Sequence, residues 1–288
     1  MASPKVIRKR ISTVRNTQQI TKAMKMVSAA RLRRAQEAAT ATRPYAQKLE
    51  ELLRNVAARA GTDAHPLLKA PAGEEKRVDL VLVTGDRGLC GGYNSSLIKA
   101  AEQFRRARPD REVAMTVVGR RGFDYFRKRS ANIVDSHINL FGGPSRALAE
   151  QLGAKLAQEY AEGTTDGVYI LFSRFRSAIS QVPTVLRLLP IPVDATTDEG
   201  PALDYLYEPD EKTLLERLLK QYINTLIHSA FLEAAASEHA ARMTAMDSAT
   251  TNAAEMISRL TLEMNRARQA AITKELMEIV SGADALKG

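Results

Sequence analysis

Hydrophobic residues recur at helical spacing near both ends of the chain. Near the N-terminus they are separated by 4, 3, 6, 4 and 3 positions, which keeps them near one helix face: Ile7, Ile11, Val14, Ile20, Met24 and Val27. A similar stripe near the C-terminus contains Met256, Leu260, Met264, Ala267 and Ala271, preceded by the small residues Ala245, Ala249 and Ala253. The two stripes predict helices that pair as an antiparallel coiled coil, and an ordinary helical bundle is the alternative with the same periodicity.

The distribution of glycine and proline predicts the length of the C-terminal helix. Residues 212–281 contain neither residue type. An unbroken helix over this run would be about 105 Å long. Asp210 is the predicted N-cap and Gly282 marks the predicted end, so one helix should span the whole run.

The N-terminal helix is predicted in the same way. Pro4 suits the first helical position, and residues 5–43 contain no Gly or Pro. Pro44 predicts a kink or break, because proline lacks the N–H that an interior helical position donates. A second helical stretch is expected over residues 45–60.

Strand-like runs and helical stretches alternate in the centre of the chain. The predicted strands are 78–84, 113–118, 133–138 and 168–172, with 182–189 as a candidate edge strand, and the predicted helices are 95–108, 122–129 and 144–160. This order predicts a Rossmann-like α/β domain with a mostly parallel sheet. We therefore expect an N-terminal coiled-coil helix (1–60), a linker (61–76), the α/β domain (77–195), a second linker (196–211) and a C-terminal coiled-coil helix (212–288).

The net charge of +9 is concentrated at the N-terminus. The first 36 residues contain ten basic residues and no acidic one, whereas the remaining 252 sum to −1. Such a segment attracts an acidic partner, and charge alone leaves nucleic acid, anionic lipid and an acidic protein surface open. A basic coiled-coil protein that binds nucleic acid is therefore one hypothesis, although the segment lacks the aromatic residues that stack on single strands.

The sequence also bears on the compartment. No apolar run approaches the roughly 18 residues that a membrane span needs. The single cysteine, Cys90, cannot form an intramolecular disulfide, and no apolar signal region follows the basic N-terminus. We expect a cytoplasmic protein.

A glycine-rich loop, GDRGLCGGYN (85–94), lies between a predicted strand and a predicted helix. It fits neither the phosphate-loop motif nor the dinucleotide-binding motif, so a tight turn or a protein-contact loop is favoured over a nucleotide site. The four histidines are scattered without metal-ligand spacing, and Glu238 and His239 are expected on a solvated helix face. We therefore predict no catalytic residue, metal or cofactor. A small nucleotide-dependent enzyme is a third hypothesis, and it would require the glycine-rich loop to bind phosphate.

Five blocks of sequence closely resemble the gamma-subunit family of bacterial ATP synthases. They are ITKAMKMVSAARLRRA (20–35), TGDRGLCGGYN (84–94), YLYEPD (205–210), SEHAARMTAMDSATTNAAEMI (237–257) and NRARQAAITKELMEIVSGADAL (265–286). The resemblance covers essentially the whole chain. It implies a non-catalytic rotor stalk that transmits torque between the membrane c-ring and the catalytic hexamer, so that proton or sodium flow is coupled to ATP synthesis.

The resemblance also implies the partners and the location. One copy per complex would contact the alpha and beta subunits of the hexamer, the epsilon subunit and the c-ring. The complex would lie peripherally on the cytoplasmic face of the bacterial inner membrane. Neither nucleic acid nor a cofactor is implied.

By position, the resemblance implies four groups of contact residues. They are Arg268, Gln269 and Thr273 at the catch loop of a beta subunit; Leu276, Ile279, Val280 and Leu286 in an apolar tip (276–286) held in the sleeve of the hexamer; Met24, Lys25 and Cys90 at the beta-subunit levers; and Tyr205, Tyr207 and Glu208 in a foot that meets epsilon and the c-ring. Weak apolar contacts suit a rotating tip, because strong ion pairs would have to be broken in every turn.

Overall fold

A computed structural model describes residues 3–61, 64–71, 73–129, 131–140, 145–192 and 210–285, without the side chains of 58–60, 211 and 283–285. The chain divides into two compact units, one made of Met1–Ser28 with Met243–Gly288 and the other of Ala29–Arg242. We call them the helical unit and the α/β unit. Both long helices contribute residues to both units.

Six helical elements and five strands make up the described chain. In order they are α1 (Pro4–Ala60), a 3-10 turn (Pro66–Leu68), β1 (Arg77–Val83), α2 (Tyr93–Arg106), β2 (Glu112–Val118), α3 (Arg120–Arg127), β3 (Ile133–His137), α4 (Arg146–Ala161), β4 (Gly167–Ser177), β5 (Ser180–Leu189) and α5 (Glu211–Ala285). The predicted fold class, with two long terminal helices and a Rossmann-like centre, is confirmed. The predicted domain boundaries stay predictions.

The sheet has the strand order β3-β2-β1-β4-β5, with β5 antiparallel to β4 and the other pairs parallel. Chain connections from β1 lead through α2 and α3 to one side of the sheet, and α4 then returns the chain to β4. The carboxyl ends of β1 and β4 therefore meet where the connections change direction, which is the usual ligand crevice of such sheets.

Two apolar clusters cover the faces of this sheet. Leu80 and Leu82 of β1 pack against α2 and α3, whereas Val81 and Val83 face a larger cluster with α4. This larger cluster also includes parts of α1 and α5. Its α5 residues are all 0–3% exposed: Leu215, Leu219, Ile223, Ile227, Ala230, Phe231 and Ala234. Leu67 and Leu68, in a predicted linker, are buried in it too. Parts of both terminal helices thus build the α/β unit.

Antiparallel helix pairing holds the helical unit together. Ile7 and Ile11 form an apolar cluster with Leu260, and further along α1 the Thr21 hydroxyl lies 2.8 Å from that of Thr250. As residue numbers rise on α1, those of their partners on α5 fall, so the two helices run in opposite directions.

The pairing surface of α1 differs from the predicted stripe beyond Val14. The less exposed positions continue at spacings of four and three as Gln18, Thr21, Lys25 and Ser28. Thr21 and Ser28 are buried, at 8% and 3% exposure, and Gln18 and Lys25 are half-buried. Ile20 and Val27, which were expected in the stripe, are 60% and 53% exposed. The heptad repeat outweighs residue polarity here, because the six-residue step from Val14 to Ile20 leaves the register.

A similar correction applies to α5 in the helical unit. Leu260 is buried and Met264, Ala267 and Ala271 are half-buried, as expected. Met256, however, is 50% exposed, and the neighbouring Ile257 takes its place against α1.

The ends of the helices also differ in detail from the expectation. α1 continues through Pro44 instead of breaking there. The Asp210 carboxylate accepts a hydrogen bond from the Thr213 N–H at 2.9 Å, which confirms the N-cap of α5. Gly282 does not end α5, which continues to Ala285, because a single glycine costs a helix only about 1 kcal/mol.

Candidate functional site

A hydrogen-bonded stretch joins the two helices of the helical unit around the predicted lever residues. Lys25 Nζ lies 2.6 Å from Asp247 Oδ1, and both side chains are about half exposed, at 42% and 56%. Gln18 Nε2 donates weakly to the Thr250 carbonyl at 3.5 Å. Met24 is half-buried beside this stretch. Lys25 therefore presents a charge to solvent that is already partly paired within the chain.

An exposed apolar strip follows the outer side of α1. Ile20, Met26 and Val27 are each more than half exposed. The basic residues Lys22 and Arg15 are exposed on the same helix. The sequence pattern predicts Ile20 and Val27 in the helix pair. One signal in the sequence excludes them: the spacing of four and three set by Ile7, Ile11 and Val14, when continued, skips both positions.

The last described turns of α5 have no covering partner within the described chain. Every residue from 272 to 282 is exposed, and we call this stretch the terminal segment. Four apolar side chains of the predicted tip are strongly exposed: Leu276 at 57%, Met277 at 62%, Ile279 at 67% and Val280 at 55%. Leu286 lies outside the described residues. A helix with apolar side chains on its outside is a surface suited to an apolar partner.

Two predicted catch residues, Arg268 and Gln269, lie just before the terminal segment, and the third, Thr273, lies at its start. Arg268, Gln269 and Thr273 are all exposed. The Thr273 hydroxyl donates to the Gln269 carbonyl at 3.0 Å, one helical turn back. Polar and charged groups thus precede the apolar tip along the same helix.

The glycine-rich loop is held by its own side chains. The Asp86 carboxylate accepts hydrogen bonds from the N–H groups of Arg120, Asn139 and Leu140 at 2.8, 3.1 and 2.7 Å. Asn94 Oδ1 accepts from the Gly85 N–H at 2.9 Å. These bonds fix the loop as a turn, and the Gly85 N–H is already bonded within it.

Cys90 is buried in this loop, at 2% exposure. Asn94 Nδ2 lies 3.1 Å from its sulfur, and burial raises the pKa of the thiol above its ordinary value. Two side chains of the loop are exposed, those of Arg87 and Leu89, and Leu89 is 64% exposed with φ of +61°. A partner that reaches this loop would touch Leu89 before Cys90.

Glu238 and His239 are not on a solvated helix face, contrary to the sequence-based expectation. Both are half-buried, and Glu238 pairs with Arg242 at 2.6 Å. Burial, with Arg242 and Arg31 nearby, lowers the pKa of His239 to about 4. The imidazole is therefore neutral at physiological pH.

Three predicted contact residues, Tyr205, Tyr207 and Glu208, lie outside the described residues. Within the part of the chain that is described, no group of three or more His, Cys, Asp or Glu side chains is arranged to hold a metal ion. No helix in the same part combines the length and the hydropathy of a membrane span.

Comparison with known sequences gives matches over the full length. A family model described as ATP synthase matches residues 3–286. ATP synthase gamma chains of Moorella thermoacetica and Geobacter metallireducens are 50% and 49% identical, over 288 and 290 residues, and each alignment covers 100% of both chains. The gamma chain of an Anaeromyxobacter species is 48% identical over 292 residues with the same coverage.

Solved structures give the same fold. The central stalk and c-ring structure of the Tetrahymena thermophila mitochondrial ATP synthase contains a chain with a TM-score of 0.61 and 25% identity, covering 80% of this chain and 99% of that one. A chain of the Euglena gracilis mitochondrial ATP synthase rotor has a TM-score of 0.63 and 19% identity, covering 93% and 98%. At 19% identity the second likeness concerns the fold alone.

Proposed function

The chain belongs to the ATP synthase gamma-chain family, and from this premise we propose which of its surfaces meet the other parts of the enzyme. Its role in that family is the central rotor stalk, which is not catalytic, since the catalytic sites lie in the beta subunits. Its partners are other parts of the ATP synthase, a membrane-associated complex. Nothing in the comparisons supports the nucleic-acid hypothesis.

The terminal segment is the part that turns inside the hexamer of alpha and beta subunits. The observation that carries this proposal is that all residues from 272 to 282 are exposed, with Leu276, Ile279 and Val280 more than half exposed. Apolar contacts are short-ranged and non-directional, so they can slide without breaking a specific bond. A tip of this kind can be held on its axis while it rotates.

The catch contact lies just before the tip. Arg268, Gln269 and Thr273 would meet a loop of a beta subunit through exposed polar groups. Such groups form and release hydrogen bonds at a modest net cost of about 1 kcal/mol each. The angle of the stalk would then be read by one beta subunit at a time.

The lever contacts lie on the basic part of α1. Met24 and Lys25 would pass the acidic levers of the beta subunits, and the exposed basic residues around them add long-range attraction that solvent screens. Cys90 marks the third contact by its place in the loop, where the exposed Arg87 and Leu89 are the side chains that would be touched. These contacts convert lever movement into rotation.

The foot and the remaining partners rest on the resemblance of sequence alone. Tyr205, Tyr207 and Glu208 would contact the epsilon subunit and the c-ring. One copy would serve each complex, on the cytoplasmic face of the bacterial inner membrane. Rotation of the asymmetric stalk would then set which catalytic site is tight, loose or open.

The experiment is reconstitution with the cognate alpha and beta subunits. The purified chain alone should hydrolyse no ATP, and it should restore rotation-coupled hydrolysis when it joins the hexamer. A chain truncated after Ala271 should still assemble, because the removed segment packs on nothing in the described chain, and it should deliver less torque. Failure of the full chain to join the hexamer would reject the proposal.

The nucleic-acid hypothesis is tested with a gel shift near physiological salt. We expect no shift with either DNA or RNA. A tight complex that weakens steeply with added salt would favour that alternative.

A further inference from the structure

The ligand crevice of the α/β sheet is occupied by the chain itself. In sheets with this strand order, ligands bind outside the carboxyl ends of the two strands at which the connections change direction. Those strands are β1 and β4. The segment of α5 from Ala234 to Arg242 lies beside Gly85, two residues after β1, and beside Ser173 in the carboxyl half of β4. The contacts that place it there all lie within the α/β unit.

Two hydrogen bonds from buried hydroxyls fix the first half of this α5 segment. Ser237, fully buried, donates from Oγ to the Ser173 carbonyl of β4 at 2.8 Å. Tyr93, at the start of α2 and 6% exposed, donates from its hydroxyl to the Ala234 carbonyl at 3.2 Å. Each bond satisfies a group that could not otherwise reach water, so breaking either one is costly.

An ion pair fills the space beside the glycine-rich loop. The Glu238 carboxylate lies so close to Gly85 that a Cβ there would be 2.9–3.1 Å from its carboxyl atoms. Arg242, only 8% exposed, donates from Nη2 to Glu238 Oε1 at 2.6 Å. The same guanidinium donates to the Gly88 carbonyl from Nε and Nη2 at 3.4 and 3.3 Å.

We propose that Glu238 and Arg242 take the place of a bound anionic ligand in this crevice and thereby fasten α5 to the α/β unit. The carboxylate stands where an anion would approach the glycine-rich loop, and the guanidinium neutralises it and ties it to the Gly88 carbonyl. The two residues are positioning residues for torque transfer. The proposal rests on the rotor role, because torque can pass from the α/β unit into the stalk helix only if the two do not slip.

The same helix carries a matched control. Glu216 and Lys220 form an i,i+4 ion pair at 2.7 Å, but their side chains are 51% and 62% exposed. Lys220→Ala therefore removes the cation of an equivalent pair without touching the crevice. Any difference between Lys220→Ala and Arg242→Ala reports the crevice and not the loss of a helical ion pair.

The test uses the complete ATP synthase in membrane vesicles. ATP hydrolysis and ATP-driven ion pumping are measured on the same vesicles, with a potential-sensitive dye that responds to either coupling ion. Arg242→Ala should keep hydrolysis within about twofold and lower pumping per ATP hydrolysed by about 2- to 10-fold. Arg242→Lys, which keeps the charge but not both contacts, should be intermediate, and Lys220→Ala should match the unmodified enzyme.

Equal pumping per ATP in Arg242→Ala and Lys220→Ala would overturn the proposal. So would a parallel fall in hydrolysis and pumping in Arg242→Lys, because that pattern indicates loss of assembly. If the enzyme with the unmodified chain does not pump, the rotor role itself fails. This failure is distinguished from failure of the crevice proposal because it is seen without any variant.

A second measurement covers the case in which Arg242→Ala does not fold. Glu238→Ala leaves a space of about the size of acetate beside a buried guanidinium. In the full-length purified chain, acetate should raise the melting temperature of Glu238→Ala by several degrees more than that of Glu216→Ala. An equal response of the two variants to acetate would overturn the assignment of the crevice as an occupied anion site.

Discussion

The helix α5 is held in two different ways along its length. Between Leu215 and Ala234 one face is almost completely buried in the core of the α/β unit, whereas residues 272–282 are exposed on every side. The secondary structure is identical in the two regions. Helix formation and helix anchoring are therefore separate: local propensity and hydrogen bonding extend the helix, and side-chain burial decides where it is fixed.

The largest expected effect contrasts one substitution in the two regions. Ile227→Ala, at a position with no exposure, should lower the free energy of unfolding by about 2–5 kcal/mol, because it leaves a cavity in the core. Ile279→Ala on the same helix, at 67% exposure, should change it by less than about 0.5 kcal/mol. Urea unfolding of the two variants measures both values, and similar losses would contradict the division of α5.

A half-buried carboxyl group on the sheet makes the stability of the α/β unit depend on pH. Burial, assisted by Glu159, raises the pKa of Asp79 on β1 to about 6. Folding therefore favours the protonated carboxyl over the charged one. The stabilisation that comes from the protonated carboxyl is fully present below about pH 4 and is lost as the pH rises through 6.

Asp79→Asn should therefore stabilise the protein at pH 7.5 by about 1–2 kcal/mol, a value reduced by the solvent that partly reaches the carboxyl. The advantage should disappear near pH 4. Thermal unfolding across this range is the measurement, and Asp110→Asn, at an exposed position, is the control. An advantage that is independent of pH would contradict the raised pKa.

The hydroxyl pair of the helical unit gives a smaller effect. Thr21→Val alone should cost about 1 kcal/mol, because it removes one partner of a hydrogen bond in a seam where Thr21 is 8% exposed. Combining it with Thr250→Val should recover most of that cost, because the double variant removes both hydroxyls and leaves neither of them without its partner. Melting temperatures of the two single variants and the double variant form the cycle. Additive losses would show that the two hydroxyls are not coupled.

The smallest effect is expected for the ion pair beside it. Lys25→Ala should change stability by no more than about 0.5 kcal/mol, because both Lys25 and Asp247 are about half exposed. The change should shrink further in 1 M salt. A loss as large as that of Ile227→Ala would contradict this expectation, because it would mean that an exposed surface pair anchors the helices.

Much of the fold could be predicted from the sequence because its patterns are local. The strand order along the chain follows from alternating apolar runs, and the N-cap at Asp210 follows from a single residue and its neighbours. The pairing surface of α1 could not be read in this way beyond Val14. Polar Gln18 and Thr21 occupy it and apolar Ile20 does not, because the register is set by the heptad repeat with the partner helix.

The contact residues were predictable only through the resemblance to the family. Among the described residues, Arg268 and Ile279 have no partner that would mark them, so no pattern of burial or charge within the sequence singles them out. Glu238 and Arg242 were missed for a different reason. Their spacing of four is common on solvated helices, and only the position of Gly85 and Gly88 beside them shows what the pair does.

The bare end of α5 separates two kinds of selection that act on one helix. A substitution at Ile227 must first allow the chain to fold, and few side chains meet that condition. A substitution at Ile279 is constrained only by contacts with the protein that surrounds it in the assembly. The final turns of the stalk can therefore change together with the surrounding subunits, one side chain at a time. The earlier part of the same helix is constrained by its own core.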